Sequence, residues 1–317
     1  MAAALGFFLL GLLLLALGGD SIVKGASGLA QRLGLSPFAA GVVLVAFGTS
    51  LPELAVNLRA VWVGSQDLAL GNAIGSNVVN FGLTLGAAAF AAPLLVRWRA
   101  LLPMLLCFMA GSVALVAFAL DGVLNRLEGV LLLLGFVAVL AWAMARSRGE
   151  SAEVHAELAE YGDTRTALWL NLLRFALAAV LLYFGARLVV QHAPMLGAAL
   201  GLAPLLTGLI VVAIATALPE AAAAVVAARR GQGDMVVGHV VGSSLFNLLV
   251  VVGAMGAFRP TPLPASFAYF EVPAALAFAI ALYPMLRGDL RISRVEGGVL
   301  LAAFAAWLLF ELALVHH

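Results

Sequence analysis

Residues 41–56 read GVVLVAFGTSLPELAV. The stretch sits in a run apolar enough and long enough to cross a bilayer, which takes roughly 20 residues. Yet it places Pro52 and Glu53 near its middle. Proline removes a helix hydrogen bond and clashes with the preceding turn. A carboxylate in hydrocarbon is costly and usually marks an ion or substrate path. Residues 208–220, GLIVVAIATALPE, pose the same problem at Pro219 and Glu220. Each proline frees a carbonyl one turn upstream, around Gly48 and Ala215. Freed carbonyls are tolerated at membrane depth only where they line a cavity or coordinate something.

The two stretches belong to a longer repeat. A shift of 167 lays 41–53 on 208–220 without a gap, with seven of the thirteen positions identical. The same shift lays LGLSP (33–37) on LGLAP (200–204), and GNAIGSNVVN (71–80) on GHVVGSSLFN (238–247). One offset serving three separate blocks is the mark of an internal repeat.

The 317 residues are 64% hydrophobic and 10% charged. A soluble domain carries about 25% charged residues. Hydropathy predicts an all-α membrane protein of about ten spans, near 2–19, 38–63, 69–93, 100–120, 124–146, 167–191, 204–228, 235–257, 264–286 and 295–314. The first lacks a basic n-region and a small-residue cleavage motif, so it reads as a span rather than a signal peptide. The single cysteine, Cys107, excludes an intrachain disulfide and a cysteine-clustered metal site. The net charge of +1 and the absence of a basic tract give no sign of nucleic acid as a partner.

A repeat offset that crosses five spans, an odd number, inverts the second copy in the membrane, as in secondary transporters. The expected organisation is a first five-helix repeat at 1–146, a cytoplasmic connecting loop at 147–166 and an inverted repeat at 167–317, with broken core helices at the LPE motifs. Placing the N-terminus outside leaves Arg59, Arg126, Arg187 and Arg259 in outer loops and Arg174 within a span; the other twelve Lys and Arg lie inside. That excess orients both termini outward.

The polar residues within spans are Thr49, Ser50, Glu53, Asn72, Ser76, Asn77 and Asn80, then Thr216, Glu220, His239, Ser243, Ser244 and Asn247. Glu53 and Glu220 are the mid-span carboxylates; Glu271 and Glu311 lie nearer span ends, where they can reach headgroups or water. Two glutamates with freed carbonyls make a cage of hard oxygens with a formal charge of −2. It suits Ca²⁺, which takes about six to eight oxygens, or two or three Na⁺ ions. It does not suit zinc or copper, since no set of histidines and cysteines accompanies it.

GTSLPE with GNAIGSNVVN, repeated as ATALPE with GHVVGSSLFN, resembles the paired α-repeats of the sodium/calcium exchanger family. The short connector is similar to that of prokaryotic members. The resemblance implies Glu53 and Glu220 as central Ca²⁺ ligands, helped by the carbonyls of Thr49 and Thr216. It implies Na⁺ sites from the Ala46 carbonyl, Ser50 and Ser76 on one side, and the Ala213 carbonyl and Ser243 on the other. Asn80 and Asn247 would complete the centre, directly or through a water. Three positions depart from the family pattern: Ala217 stands for serine, Asn247 for aspartate and His239 for asparagine.

The function expected is Na⁺/Ca²⁺ antiport by alternating access, in a prokaryotic cell membrane. The partners are Ca²⁺, Na⁺ and the lipid bilayer, with no cofactor, no nucleic acid and no obligatory protein partner. Coupling to protons or another monovalent cation is the alternative, and Ala217 and His239 are the residues that would decide it. His239 reads either as a neutral side chain closing the start of its span or as a group whose titration gates transport. An intramembrane hydrolase is disfavoured, for there is no HExxH, and no serine/lysine or serine/histidine pair is expected on neighbouring turns.

Overall fold

The computed structural model describes residues 1–32, 41, 43–44, 50–147, 149–162, 167–288 and 290–314. Among these, nine helices are long and apolar enough to cross a membrane. They are α1 (Ala2–Arg32), α3 (Gln66–Ala91), α4 (Leu101–Ala119), α5 (Arg126–Ser147), α7 (Leu168–Ala199), α8 (Pro204–Arg229), α9 (Gly233–Phe258), α10 (Phe267–Arg287) and α11 (Arg294–Leu314). The tenth expected span, 38–63, is represented by α2 (Leu51–Trp62); most of 38–49 lies outside the described residues. The chain is an integral membrane protein.

Two helices outrun their hydropathy. Helix α1 has 31 residues and α7 has 32, each about 47 Å at 1.5 Å per residue, well beyond the roughly 30 Å of hydrocarbon. Past the apolar run α1 continues through Asp20 and Lys24, which pair at 2.7 Å one turn apart. The two helices lie against each other, and glycines set the approach. A Cβ at Gly11 would meet the Gly185 carbonyl at 3.0 Å, and one at Gly18 would meet Leu182 at 2.9 Å.

Helices α3 and α9 form the interior. Every residue from Leu68 to Val79 is buried, and so is nearly every residue of α9 from Gly233 to Leu245. A helix enclosed on all sides shows no amphipathic stripe. Close backbone approach replaces large side chains: a Cβ at Gly71 would collide with the Leu205 carbonyl, and one at Gly208 with the Leu68 carbonyl.

The duplication is visible in detail. Helix α3 has a π-helical turn at Asn80–Thr84, and α9 has one at Phe246–Val251, where the offset of 167 maps 80 onto 247. Helix α5 opens with a capping box in which Glu128 accepts the Asn125 N–H (2.8 Å) and Asn125 accepts the Glu128 N–H (3.1 Å). Helix α11 repeats it with Ser293 and Glu296 (2.7 and 3.3 Å). Four two-residue strands link the halves. Strand β1 (Leu94–Leu95) pairs antiparallel with β4 (Arg291–Ile292), and β2 (Val123–Leu124) with β3 (Thr261–Pro262). The repeat maps β1 onto β3, and β2 onto β4 with a slip of one residue. It therefore exchanges the two ladders, which lie at opposite ends of α4. An operation that swaps the ends of the molecule is an inversion.

The connector contains a helix where a loop was expected: α6, Ala152–Gly162. The Arg99 N–H donates to Glu150 at 3.1 Å, so connector and β1 occupy one end of the molecule, the connector end. Glu271 and Glu311 also differ from expectation. Each is enclosed by protein rather than turned to water. The adjacent Phe270 and Phe310 rings pack with centroids 6.4 Å apart, so α10 and α11 turn this pair of acids toward a shared interface.

Candidate functional site

Helix α2 begins with Pro52 in its first turn and Glu53 beside it. There the proline costs little, because first-turn N–H groups have no intrahelical partner. Pro219 sits inside α8 instead. That helix keeps its path, with a π-helical segment at Thr207–Val212 followed by α-helix from Ala213 to Arg229. The interruption lies in the hydrogen bonding, for Pro219 leaves the carbonyl of Ala215 without its usual donor.

Both motifs open onto one cavity of about 270 Å³. Its walls include Pro52 and Glu53 from α2; Ala215, Thr216, Pro219 and Glu220 from α8; and His239 from α9. Leu12, Leu15 and Ala16 of α1 close one side. From the carboxylates the cavity runs along Ala223, Ala224 and Ala227 to Met235 and Val236, toward the connector end.

The two carboxylates sit differently. Glu53 is 3% exposed, and its Oε2 has no hydrogen-bond partner among the described residues. The Glu220 side chain is 14% exposed, with Oε2 3.5 Å from His239 Nε2. His239 Nδ1 lies 3.3 Å from Ser243 Oγ, so Glu220, His239 and Ser243 form one chain of polar groups, and a serine/histidine pair does stand on neighbouring turns of α9, where none was expected.

Of the other expected site residues, Ser50, Ser76, Asn80, Ser243 and Asn247 are buried, and none is on the cavity wall. The Ser76 hydroxyl and Asn247 Oδ1 have no hydrogen-bond partner among the described residues. Such orphaned oxygens in a sealed interior are what a bound cation would satisfy. The Thr216 hydroxyl donates to the carbonyls of Val212 (3.1 Å) and Ala213 (3.2 Å), so the Ala213 carbonyl already accepts one bond. Ala217 is buried. Thr49 and Ala46 lie outside the described residues.

One participant was not singled out from sequence. Asn57, buried one turn beyond Glu53, accepts a hydrogen bond from Asn72 Nδ2 at 3.0 Å. Its signal was present in the i, i+4 spacing from Glu53, which puts both on one helix face.

Comparison with known proteins places these features in context. The model of the family described as sodium/calcium exchanger protein matches residues 3–145 and 170–313. The chain is 33% identical to inner membrane protein YrbG of Escherichia coli, covering 97% of this chain and 96% of that one. It is 28% identical to sodium/calcium exchanger MaX1 of Methanosarcina acetivorans, covering 95% and 96%. A solved structure of the sodium-calcium exchanger NCX_Mj, soaked with Na⁺ and Sr²⁺, superposes with a TM-score of 0.67 at 27% identity, over 97% of this chain and 98% of that one.

Proposed function

Because this chain belongs to the sodium/calcium exchanger family, we propose that it is a secondary antiporter exchanging Na⁺ for Ca²⁺ by alternating access. The observation that carries the reading is that Glu53 and Glu220, one from each half, line a single cavity. Two negative charges neutralise one Ca²⁺ or a set of Na⁺ ions, and not both together. That mutual exclusion is what antiport requires.

In this reading Glu53 and Glu220 are the central ligands, and Thr216 stands beside them on the wall. Ser50 and Ser76, with the Ala46 and Thr49 carbonyls, serve the first half. Ser243 and the Ala213 carbonyl serve the second, and Asn80 and Asn247 complete the centre from their π-helical turns. The repeats are 1–146 and 167–317. The membrane is a prokaryotic inner membrane, with the connector cytoplasmic and the termini outside, as the Lys and Arg distribution supports. In that orientation the cavity extends toward the cytoplasmic side.

The deciding measurement is ⁴⁵Ca²⁺ uptake into proteoliposomes with Na⁺ and H⁺ gradients imposed separately. Uptake driven by the Na⁺ gradient alone supports the reading. Uptake driven only by H⁺ replaces it with the proton-coupled alternative, toward which His239 beside Glu220 would point. For orientation, a cysteine introduced by Ser151→Cys in a Cys107→Ala background should resist an impermeant thiol reagent applied to intact cells. Rapid labelling would reverse the topology.

A further inference from the structure

The connector end of the cavity is fastened by groups that belong to no ion site. Asp234, fully buried in the first turn of α9, accepts the backbone N–H of Arg97 (2.6 Å) and of Trp98 (2.8 Å). Glu157 of the connector helix α6, its side chain 8% exposed, accepts the Met235 N–H through Oε1 at 2.8 Å. The Arg97 guanidinium lies between the two acids, 3.6 Å from Glu157 Oε2 and 3.5 Å from Asp234 Oδ2. The first turn of any helix leaves N–H groups without partners. Here one of them is capped by a carboxylate from outside the transmembrane bundle. Val154 is wholly buried, which anchors one face of α6 against the bundle, and a Cβ at Gly233 would collide with the Leu95 carbonyl. The connector, the 94–98 segment and the start of α9 are therefore one assembly.

That assembly ends on the ion cavity. Met235, the capped residue, and Val236 line it, and His239 follows one turn along α9. Among the described residues the first half shows no such cap: the repeat maps Asp234 onto Asp67 at the start of α3, and Asp67 is exposed.

We propose that Glu157 is a positioning residue for ion exchange: by capping α9 and holding Arg97 against Asp234, it sets the shape of the connector-side mouth of the cavity and of that mouth alone. It touches no ion and acts through Met235. Ions loaded from the connector side meet a lip shaped by α6, and ions loaded from the opposite side do not.

The inference rests on the exchange reading and on the proposed orientation, so the test separates the three. The Ca²⁺ concentration for half-maximal exchange is measured from each face of oriented proteoliposomes. Glu157→Ala should raise it about three- to tenfold on the cytoplasmic face, the scale of losing one helix cap, and change it less than about twofold on the outer face. Glu157→Gln, which keeps an oxygen acceptor for the Met235 N–H, should stay near wild type. Equal shifts on both faces, or none on either, would overturn the proposal, since a merely structural role weakens both directions alike. A shift confined to the outer face keeps the latch and reverses the orientation. If Glu157→Ala does not fold, Arg97→Gln removes the bridging charge, keeps the backbone bonds and carries the same one-sided expectation. If the wild type exchanges no Ca²⁺, the exchange reading fails and the latch is read from thiol labelling of Met235→Cys in a Cys107→Ala background. Faster labelling with Glu157→Ala supports the latch, and an unchanged rate sinks it.

Discussion

Glu53 and Glu220 occupy matching positions in the two halves, yet their surroundings have diverged. Glu53 reaches the cavity but is almost wholly buried, and the residue one turn on, Asn57, is bonded to Asn72. At Glu220 the residue one turn on is Ala224, and the position matching Asn72 is His239, whose imidazole contacts Glu220 itself. An alanine cannot hold a polar partner across the α8–α9 interface. The longer side chain on α9 reaches the carboxylate instead. Duplication thus preserved the charge and the proline while letting the polar support change from an amide pair beside the glutamate to an imidazole upon it.

The largest expected effect tests what the halves share. Glu53→Gln and Glu220→Gln should each reduce Ca²⁺ uptake by at least about 100-fold, as loss of one of two charged ligands implies about 3 kcal/mol. Near-wild-type flux in either variant would show that the halves do not build one centre.

The next effect concerns an oxygen missing from the second half. Ser50 has Ala217 as its counterpart, buried where no bulk water can substitute. Ala217→Ser should lower the Na⁺ concentration for half-maximal exchange by about ten- to 100-fold, the equivalent of about 1–3 kcal/mol for one added ligand. Ca²⁺ affinity should barely move. An unaltered Na⁺ dependence would remove Ala217 from the Na⁺ site.

Asn57→Ala copies the second half into the first. It strands the buried Asn72 amide and should cost about 1–3 kcal/mol of stability, read as a fall in the detergent melting temperature. Adding Asn72→His should not restore the loss unless the imidazole finds Glu53. A restored melting temperature would mean that the first half can adopt the architecture of the second.

The smallest effect concerns the connector end, which has diverged from its counterpart at the start of α3. Burial raises the Glu157 carboxyl above its ordinary value of 4.5, against the lowering effects of the Met235 N–H and Arg97. A group raised in the folded state adds stability that is complete below the unfolded value and is lost as pH climbs through the folded one. The melting temperature of wild type should therefore decline relative to Glu157→Gln as pH rises upward from about 4.5. Parallel profiles for wild type and Glu157→Gln would mean that the latch carboxylate is not desolvated.

Much of the architecture was legible in the chain. Hydropathy located the spans because transfer of a side chain to hydrocarbon depends on that side chain and few others. The 167-residue offset carried inversion through simple parity. The mid-span carboxylates stood out because hydrocarbon makes them costly wherever they fall. Less legible was everything set by a distant neighbour. The RSRGESAEVHAELAEYGDTR connector reads as polar filler, yet Glu157 finds the start of a helix 78 residues away. Glu271 and Glu311 lie near span ends, which suggested water, but helix packing encloses both.

The amino-acid sequence by itself determined the apolar spans, the repeat and its inversion, and the presence of two LPE carboxylates among amides and hydroxyls. These follow from local composition and from a repeat that any single chain displays. Only the tertiary structure decided which oxygens face the cavity and which lie behind it. It also decided that α8 continues through Pro219, that His239 reaches Glu220, and that the connector caps α9 at one end of the molecule. Those outcomes depend on contacts between segments far apart in the chain, where a hydrogen bond needs a donor and an acceptor within about 3 Å, and no spacing along the sequence encodes such a distance.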